Sequence, residues 1–224
     1  MVRHVVQTAD GSHSLFVPEL DEHYHSRHGA LQESRHVFIE MGLRRFVDQT
    51  EPIRILEIGF GTGLNALLTA LECFPKGLEV EYWTIERYPL TKEELDLLNY
   101  PDLVGDDSAK RIWDLIHAAD WESMTPIESV FSICKRNAKI EEFEIPSQVD
   151  LIYFDAFAPE KQPELWTEVI FQKMYRLLDD GGLLTTYCAK GDVRRAMIAA
   201  GFQVKKVQGP PGKREMLIAT KNAH

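Results

Sequence analysis

Hydrophobic residues come in short runs separated by polar stretches, and the period of each run assigns it an element. Ile53 to Ile58 reads as a buried strand, Leu64 to Cys73 as a helix and Leu78 to Glu86 as a second strand. Acidic helices are expected over 91–98 and 108–118, a weak strand over 130–134 and a strong one over 149–155. A helix over 164–178 follows, with Pro163 at a first-turn position and Gly181-Gly182 as its stop. Next come a strand over 183–188, a helix over 193–200 ended by Gly201, and strands over 202–207 and 215–220 around Gly209-Pro210-Pro211-Gly212. Upstream, the turn signal Asp10-Gly11-Ser12 precedes a short strand, Ser14 to Val17, ended by Pro18. From His28 to Phe46 the residues Leu31, Val37, Phe38, Met41 and Phe46 fall at helical spacing. Strands separated by helices imply an α/β fold, a mostly parallel sheet with helices on both faces. The final two strands have no helix between them and should form an antiparallel C-terminal edge hairpin. The expected division is an N-terminal extension over 1–50 and one α/β domain over 51–224.

Composition adds exclusions. The 224 residues are 44% hydrophobic and 27% charged, an ordinary globular balance that rules out a disordered, collagen-like or coiled-coil chain. No apolar run approaches the ~20 residues of a membrane span, and Met1 to Asp10 has no secretory apolar segment. Cysteines 73, 134 and 188 lack Cys-x-x-Cys spacing and cannot all pair, so a cytoplasmic protein without a zinc site or a membrane partner is expected. The net charge of −10 argues on average against a polyanionic partner. Residues 187–224, however, hold eight basic against two acidic side chains, a net of +6 that leaves −16 for the rest. That asymmetry fits either a polyanion-facing end or a set of solvated element faces.

Candidate chemistry begins at Glu57-Ile58-Gly59-Phe60-Gly61-Thr62-Gly63-Leu64-Asn65, a strand, glycine loop and helix start, where nucleotide-like ligands bind in such sheets. The dinucleotide fingerprint Gly-x-Gly-x-x-Gly fits poorly, with Leu64 or Ala66 at its third glycine. Glu57, two residues before Gly59, would repel a pyrophosphate and welcome a cationic amino-acid end. Glu-x-Gly-x-Gly-x-Gly resembles the first motif of class I S-adenosylmethionine-dependent methyltransferases, whose ligand carries a sulfonium and an ammonium. Glu86, about 25 residues further on at a strand tip, suits both hydroxyls of a ribose. Asp155 ends the strong strand among aromatics. There it could orient an amine by accepting its hydrogen bonds, the favoured role, or act as a base if its surroundings raise its pKa.

Several segments together resemble the methyltransferase domain of the MnmC family of tRNA 5-methylaminomethyl-2-thiouridine biosynthesis proteins, including stand-alone forms without the oxidase domain. They are Asp10-Gly11-Ser12, the run from Glu22 to Glu33 with His36-Val37-Phe38, the glycine loop, Ile85 to Leu90, Asp155 to Trp166, and Gly212 to Leu217. The resemblance implies a class I Rossmann-like fold, S-adenosylmethionine as cofactor and tRNA as partner. The implied reaction methylates the 5-aminomethyl group of wobble uridine, with or without 2-thiolation. A separate tRNA-modifying enzyme would supply the aminomethyl precursor, and a chain without the oxidase would act only on the primary amine. Carried over by position, Glu57, Gly59, Gly61, Gly63 and Asn65 form the cofactor loop, Glu86 meets the ribose and Asp155 meets the amine. Tyr24 lids the cofactor; His25, Ser26, Arg27, Phe157 and Pro159 meet the substrate, and Arg194, Arg195, Lys213 and Arg214 guide phosphates. The family's acidic residue near the adenine falls in Cys134 to Lys139, leaving Asn137 as a substitute, and its frequent glycine after the strand-end aspartate is Ala156 here.

Histidines 4, 13, 23, 25, 28 and 36 crowd the N-terminal region, but no Cys or Glu-x-x-His pair completes a metal set, and no metal is expected. Two rival readings stay open: a small-molecule amine transferase of the polyamine aminopropyltransferase type, and a non-catalytic cofactor-binding partner.

Overall fold

The computed structural model describes residues 1–222. The last two residues of the expected domain lie outside them. A small antiparallel sheet of β1 (His4–Gln7), β2 (His13–Val17) and β3 (Glu22–His23) opens the chain, followed by α1 (Ala30–Ser34), which continues into a π-helical turn over Arg35–Glu40. The main sheet contains β4 (Ile53–Ile58), β5 (Val80–Ile85), β6 (Met124–Glu128), β7 (Phe131–Arg136), β8 (Val149–Phe154), β9 (Leu178–Thr186), β10 (Gln203–Gln208) and β11 (Glu215–Thr220). Its eight strands lie in the order β10-β11-β9-β8-β4-β5-β7-β6. Strands β9, β8, β4, β5 and β7 are parallel neighbours; β6 pairs antiparallel with β7 on one side, and on the other β11 pairs antiparallel with both β9 and β10. The helices are α2 (Leu64–Cys73), α3 (Lys92–Leu95), α4 (Tyr100–Leu103), α5 (Ala109–Ala118), α6 (Glu168–Leu177) and α7 (Gly191–Ala199).

The central strands are apolar throughout because both faces are covered. Ile53, Ile55, Tyr82, Leu151 and Tyr153 point to the core under α2 and α5, and Leu56, Ile58, Trp83, Ile152 and Phe154 to the core under α6 and α7. The N-terminal segment shares the first core through Leu15, Leu31, Val37, Phe38 and Leu43. Helix α5 shows how spacing sets burial: Ala109, Ile112, Trp113 and Ile116 lie one turn apart and are all buried. Lys135 of β7 is itself buried and donates to the carbonyls of Ile116 and His117, closing the last turn of that helix.

Several expected boundaries differ, three of them in kind. The helix expected from Glu164 starts at Glu168: Pro163–Trp166 is a separate 3-10 turn, and Thr167 in extended conformation caps α6 by accepting the amide of Ile170. Gly181-Gly182 does not stop a helix; it lies inside β9, which bends around a left-handed Gly181. The strand expected over 130–134 is the inner half of an antiparallel pair with β6, whose Pro126 and register shift mask the alternation that marks a strand. The C-terminal hairpin forms as expected, with β11 inserted between β9 and the edge strand β10.

Candidate active site

A cavity of about 530 Å³ opens over the carboxyl ends of β4, β5 and β8, within the roughly 300–1,000 Å³ usual for small-molecule sites. The loop after β4 forms its floor. Gly59 has a positive φ of 92°, and a Cβ there would lie 2.7 Å from the carbonyl oxygen of Asp155, so two strand ends approach only because that side chain is missing. Gly61 is also left-handed and faces the Tyr24 ring. Gly63 caps α2 behind the cavity, against His117 and Phe60, and does not line it.

Asn65, in the first turn of α2, organises the next layer. Its Nδ2 donates to Glu57 Oε1 at 3.0 Å and to Asp155 Oδ2 at 2.9 Å. Its Oδ1 is buried with no hydrogen-bond partner among the described residues. Glu57 lies behind this amide, fully buried, with its other oxygen accepting from Thr84 at 2.8 Å. Desolvation, reinforced by nearby Asp155, pushes the Glu57 carboxyl up to about 8, so it is largely neutral at pH 7. This changes the sequence argument: Glu57 does not line the cavity, and its raised pKa weakens the charge it would set against a pyrophosphate. Asp155 does line it, and desolvation followed by the charge of Glu33 raises its carboxyl to about 7.

Glu86 stands at the end of β5, its two oxygens accepting the amides of Gly61 at 3.0 Å and Tyr88 at 2.8 Å. Tyr24 closes the cavity from the N-terminal segment. Its hydroxyl accepts from Arg3 at 2.9 Å, its ring packs edge-on against Phe157, and burial pushes the phenol up to about 12. Arg3 also grips both oxygens of Glu94 and the carbonyl of Tyr88, tying the N-terminus to the strand-β5 side of the cavity. His25 lies within 3.2 Å of Ser14 Oγ and 3.5 Å of Thr62 Oγ1; desolvation lowers it to about 4, so it serves as a neutral link between the extension and the loop. Ser26, Arg27 and Phe157 line the cavity, as does Lys213, whose ammonium pairs with Glu33.

Other expected residues lie apart. Asn137 is exposed and does not line the cavity, its backbone N–H donating to Glu122, while Ala138, Lys139 and Ile140 form the wall beside it. Pro159, Arg194, Arg195 and Arg214 do not line the cavity. The sequence reading missed Arg3, Thr62, Gln162 and Tyr187. Tyr187, just past β9, was accessible to the rule that open α/β sheets bind ligands beyond their strand ends. Arg3 carried no local signal. Among the described residues no cluster of three or more His, Cys, Asp or Glu is placed to hold a metal, and no helix is long and apolar enough to cross a membrane.

Sheet order, glycine loop and cavity together define a class I S-adenosylmethionine-dependent methyltransferase fold, and residues 124–222 match a family described as S-adenosyl-L-methionine-dependent methyltransferase. Over most of its length the chain is homologous to proteins named tRNA 5-methylaminomethyl-2-thiouridine biosynthesis bifunctional protein MnmC. It is 35% identical to that of Aromatoleum aromaticum over 86% of this chain and 32% of the relative. The protein of Cupriavidus metallidurans is 32% identical over 91% of this chain and 32% of the relative. The crystal structure of MNMC2 from Aquifex aeolicus superposes with a TM-score of 0.83 at 26% identity, covering all of this chain and 72% of that one. The chain thus spans about a third of the length of the curated relatives it matches.

Proposed function

We propose that the chain transfers a methyl group from S-adenosylmethionine to the primary amine of a 5-aminomethyl group on wobble uridine in tRNA. The observation that carries this reading is Asp155, a carboxyl held at the cavity wall by Asn65 with its pKa raised to about 7. The names of the relatives supply the tRNA and the modified base.

The cavity suits the cofactor. Gly59 and Gly61 leave room for close backbone approach, and Glu86 offers carboxylate oxygens at the strand tip. Tyr24 covers it from above, and Ala138 and Ile140 offer apolar contact to a base. When bound, S-adenosylmethionine supplies a methyl group on a sulfonium sulfur, which takes the C–S bonding pair as it becomes a neutral thioether.

The protein's own task is to present a lone pair. An alkylamine with a pKa near ~10.4 is protonated at pH 7, and neutralising it costs about 3.4 pH units, roughly 4.6 kcal/mol. Asp155 can accept a hydrogen bond from the amine and direct its nitrogen. Its raised pKa also supports its taking the proton lost from the methylated nitrogen, a stronger role than an ordinary carboxylate could fill.

The test is transfer of labelled methyl to tRNA that carries the aminomethyl group, read by nucleoside mass analysis. Label on 5-methylaminomethyl uridine supports the reading; a free amine that gains an aminopropyl group while the labelled methyl stays on the released thioether, or cofactor binding without turnover, overturns it in favour of the two rivals. Asp155→Asn should lower kcat by about 100-fold or more while leaving cofactor affinity within about threefold. A near-normal kcat would remove Asp155 from the chemistry.

A further inference from the structure

Lys213 was expected to guide phosphates, yet it is half-buried and paired with a buried carboxylate. Its Nζ lies 2.6 Å from Glu33 Oε1 and 4.0 Å from the centroid of the Tyr187 ring. The other oxygen of Glu33, a buried residue of α1, accepts the amide of Ser26 at 2.8 Å. Tyr187 is fixed in turn by donating its hydroxyl to the carbonyl of Ala156 at 2.8 Å. Lys213, Glu33, Tyr187 and Asp155 all line the same cavity, so the pair spans from the N-terminal extension to the C-terminal hairpin at the carboxyl-bearing wall.

The charged and titratable groups around this point come from every element that meets there. Glu33 belongs to α1, Asp155 follows β8, Tyr187 and Cys188 follow β9, Glu22 is in β3, and the His28 ring packs against Gly212. Glu22, Glu33 and Asp155 are acidic; Arg27 beside His23 is another cation of the cavity lining, and Lys213 is the one paired with Glu33. Without it, the buried Glu33 would add an uncompensated negative charge, and both Asp155 and an amine beside it would hold their protons to higher pH.

We propose that Lys213, held by Glu33 over Tyr187, is a positioning residue that keeps the entering amine uncharged beside Asp155. The proposal rests on the amine-methylating reading above. It accords with the influences on Asp155, where Glu33 acts to raise the carboxyl and Lys213 to lower it.

The test is the pH profile of kcat/KM for methyl transfer, measured for the wild type, Lys213→Met, Lys213→Arg and the charge-neutral double variant Glu33→Gln/Lys213→Met, with folding checked by circular dichroism. Lys213→Met should move the acid limb up by about one pH unit, a loss of about tenfold at pH 7 that closes to within about twofold at high pH. Lys213→Arg should keep the wild-type limb. The double variant, which restores the balance of charge, should return the limb to within about 0.3 unit of wild type. An unmoved limb with a raised KM for tRNA and a shallower salt dependence would overturn the proposal in favour of a phosphate contact. An equal loss at every pH would overturn it in favour of a purely structural pair. Absence of methyl transfer by the wild type would instead sink the reading of function.

Discussion

Asn65 gives both hydrogens of one amide nitrogen to two carboxyls that differ in their access to the cavity. Glu57 is sealed behind the amide and Asp155 opens in front of it. The arrangement has a measurable signature in stability. The folded-state pKa of Glu57 is about 8, against about 4.3 for an unfolded glutamate, so between these values the folded state holds a proton that the unfolded chain has released. Stability therefore falls as pH rises through this window and levels off above it. Glu57→Gln, which cannot ionise, should lose that slope. Relative to wild type it should gain up to about 1.4 kcal/mol per pH unit between pH 6.5 and 8, measured by denaturant unfolding. A difference that stays constant with pH would show that Glu57 is not protonated in the folded protein. The sequence exposed the two carboxyls and the amide as strand-end and helix-start residues, but not which one faced the ligand. That depends on α2 packing its first turn across Glu57, a three-dimensional relation that residue spacing does not encode.

At the level of elements, the strands that build the site were readable because burial on both faces makes them continuous apolar runs, and β4 and α2 have the bounds their patterns predict. The errors came where local signals competed. Pro163 looked like a helix start, but Thr167 makes the cap at the true first turn of α6. The sign of one substitution separates the two boundaries. With Thr167 as the N-cap, Thr167→Ala should destabilise the protein by about 1 kcal/mol, and Thr167→Ser should retain most of that stability. Were Thr167 inside a helix begun at Pro163, alanine would stabilise it by some tenths of a kcal/mol, since it is the better helix former. Urea unfolding of the three proteins reads the sign directly. The segment around His25 to Glu33 was legible only as a family likeness, because its role comes from contacts with Thr62 and Lys213, which are 37 and 180 residues away from their partners.

For the whole molecule, the basic C-terminal end was visible in the sequence, but its effective charge was not. Lys190 pairs with Glu160, Arg195 with Asp192, Lys206 with Glu215, Lys213 with Glu33 and Lys221 with Asp180. Among the described residues, Arg194, Lys205 and Arg214 form no ion pair, so the charge available to a polyanion is concentrated on fewer side chains than a count of lysines and arginines suggests. A cation already facing a carboxylate releases less when a phosphate arrives, because the existing pair must first be given up. If tRNA is the substrate, replacing unpaired cations should therefore flatten the salt dependence of its binding more than replacing paired ones. Arg194→Ala/Arg214→Ala should reduce the slope of log KM against log salt by about 1.5, near the 0.7–0.9 expected per phosphate contact. Arg195→Ala/Lys206→Ala should change it by less than about half as much. Methyl-transfer kinetics between 50 and 200 mM salt give both slopes, and equal reductions would mean that the internal pairs open freely on the RNA and do not partition the surface.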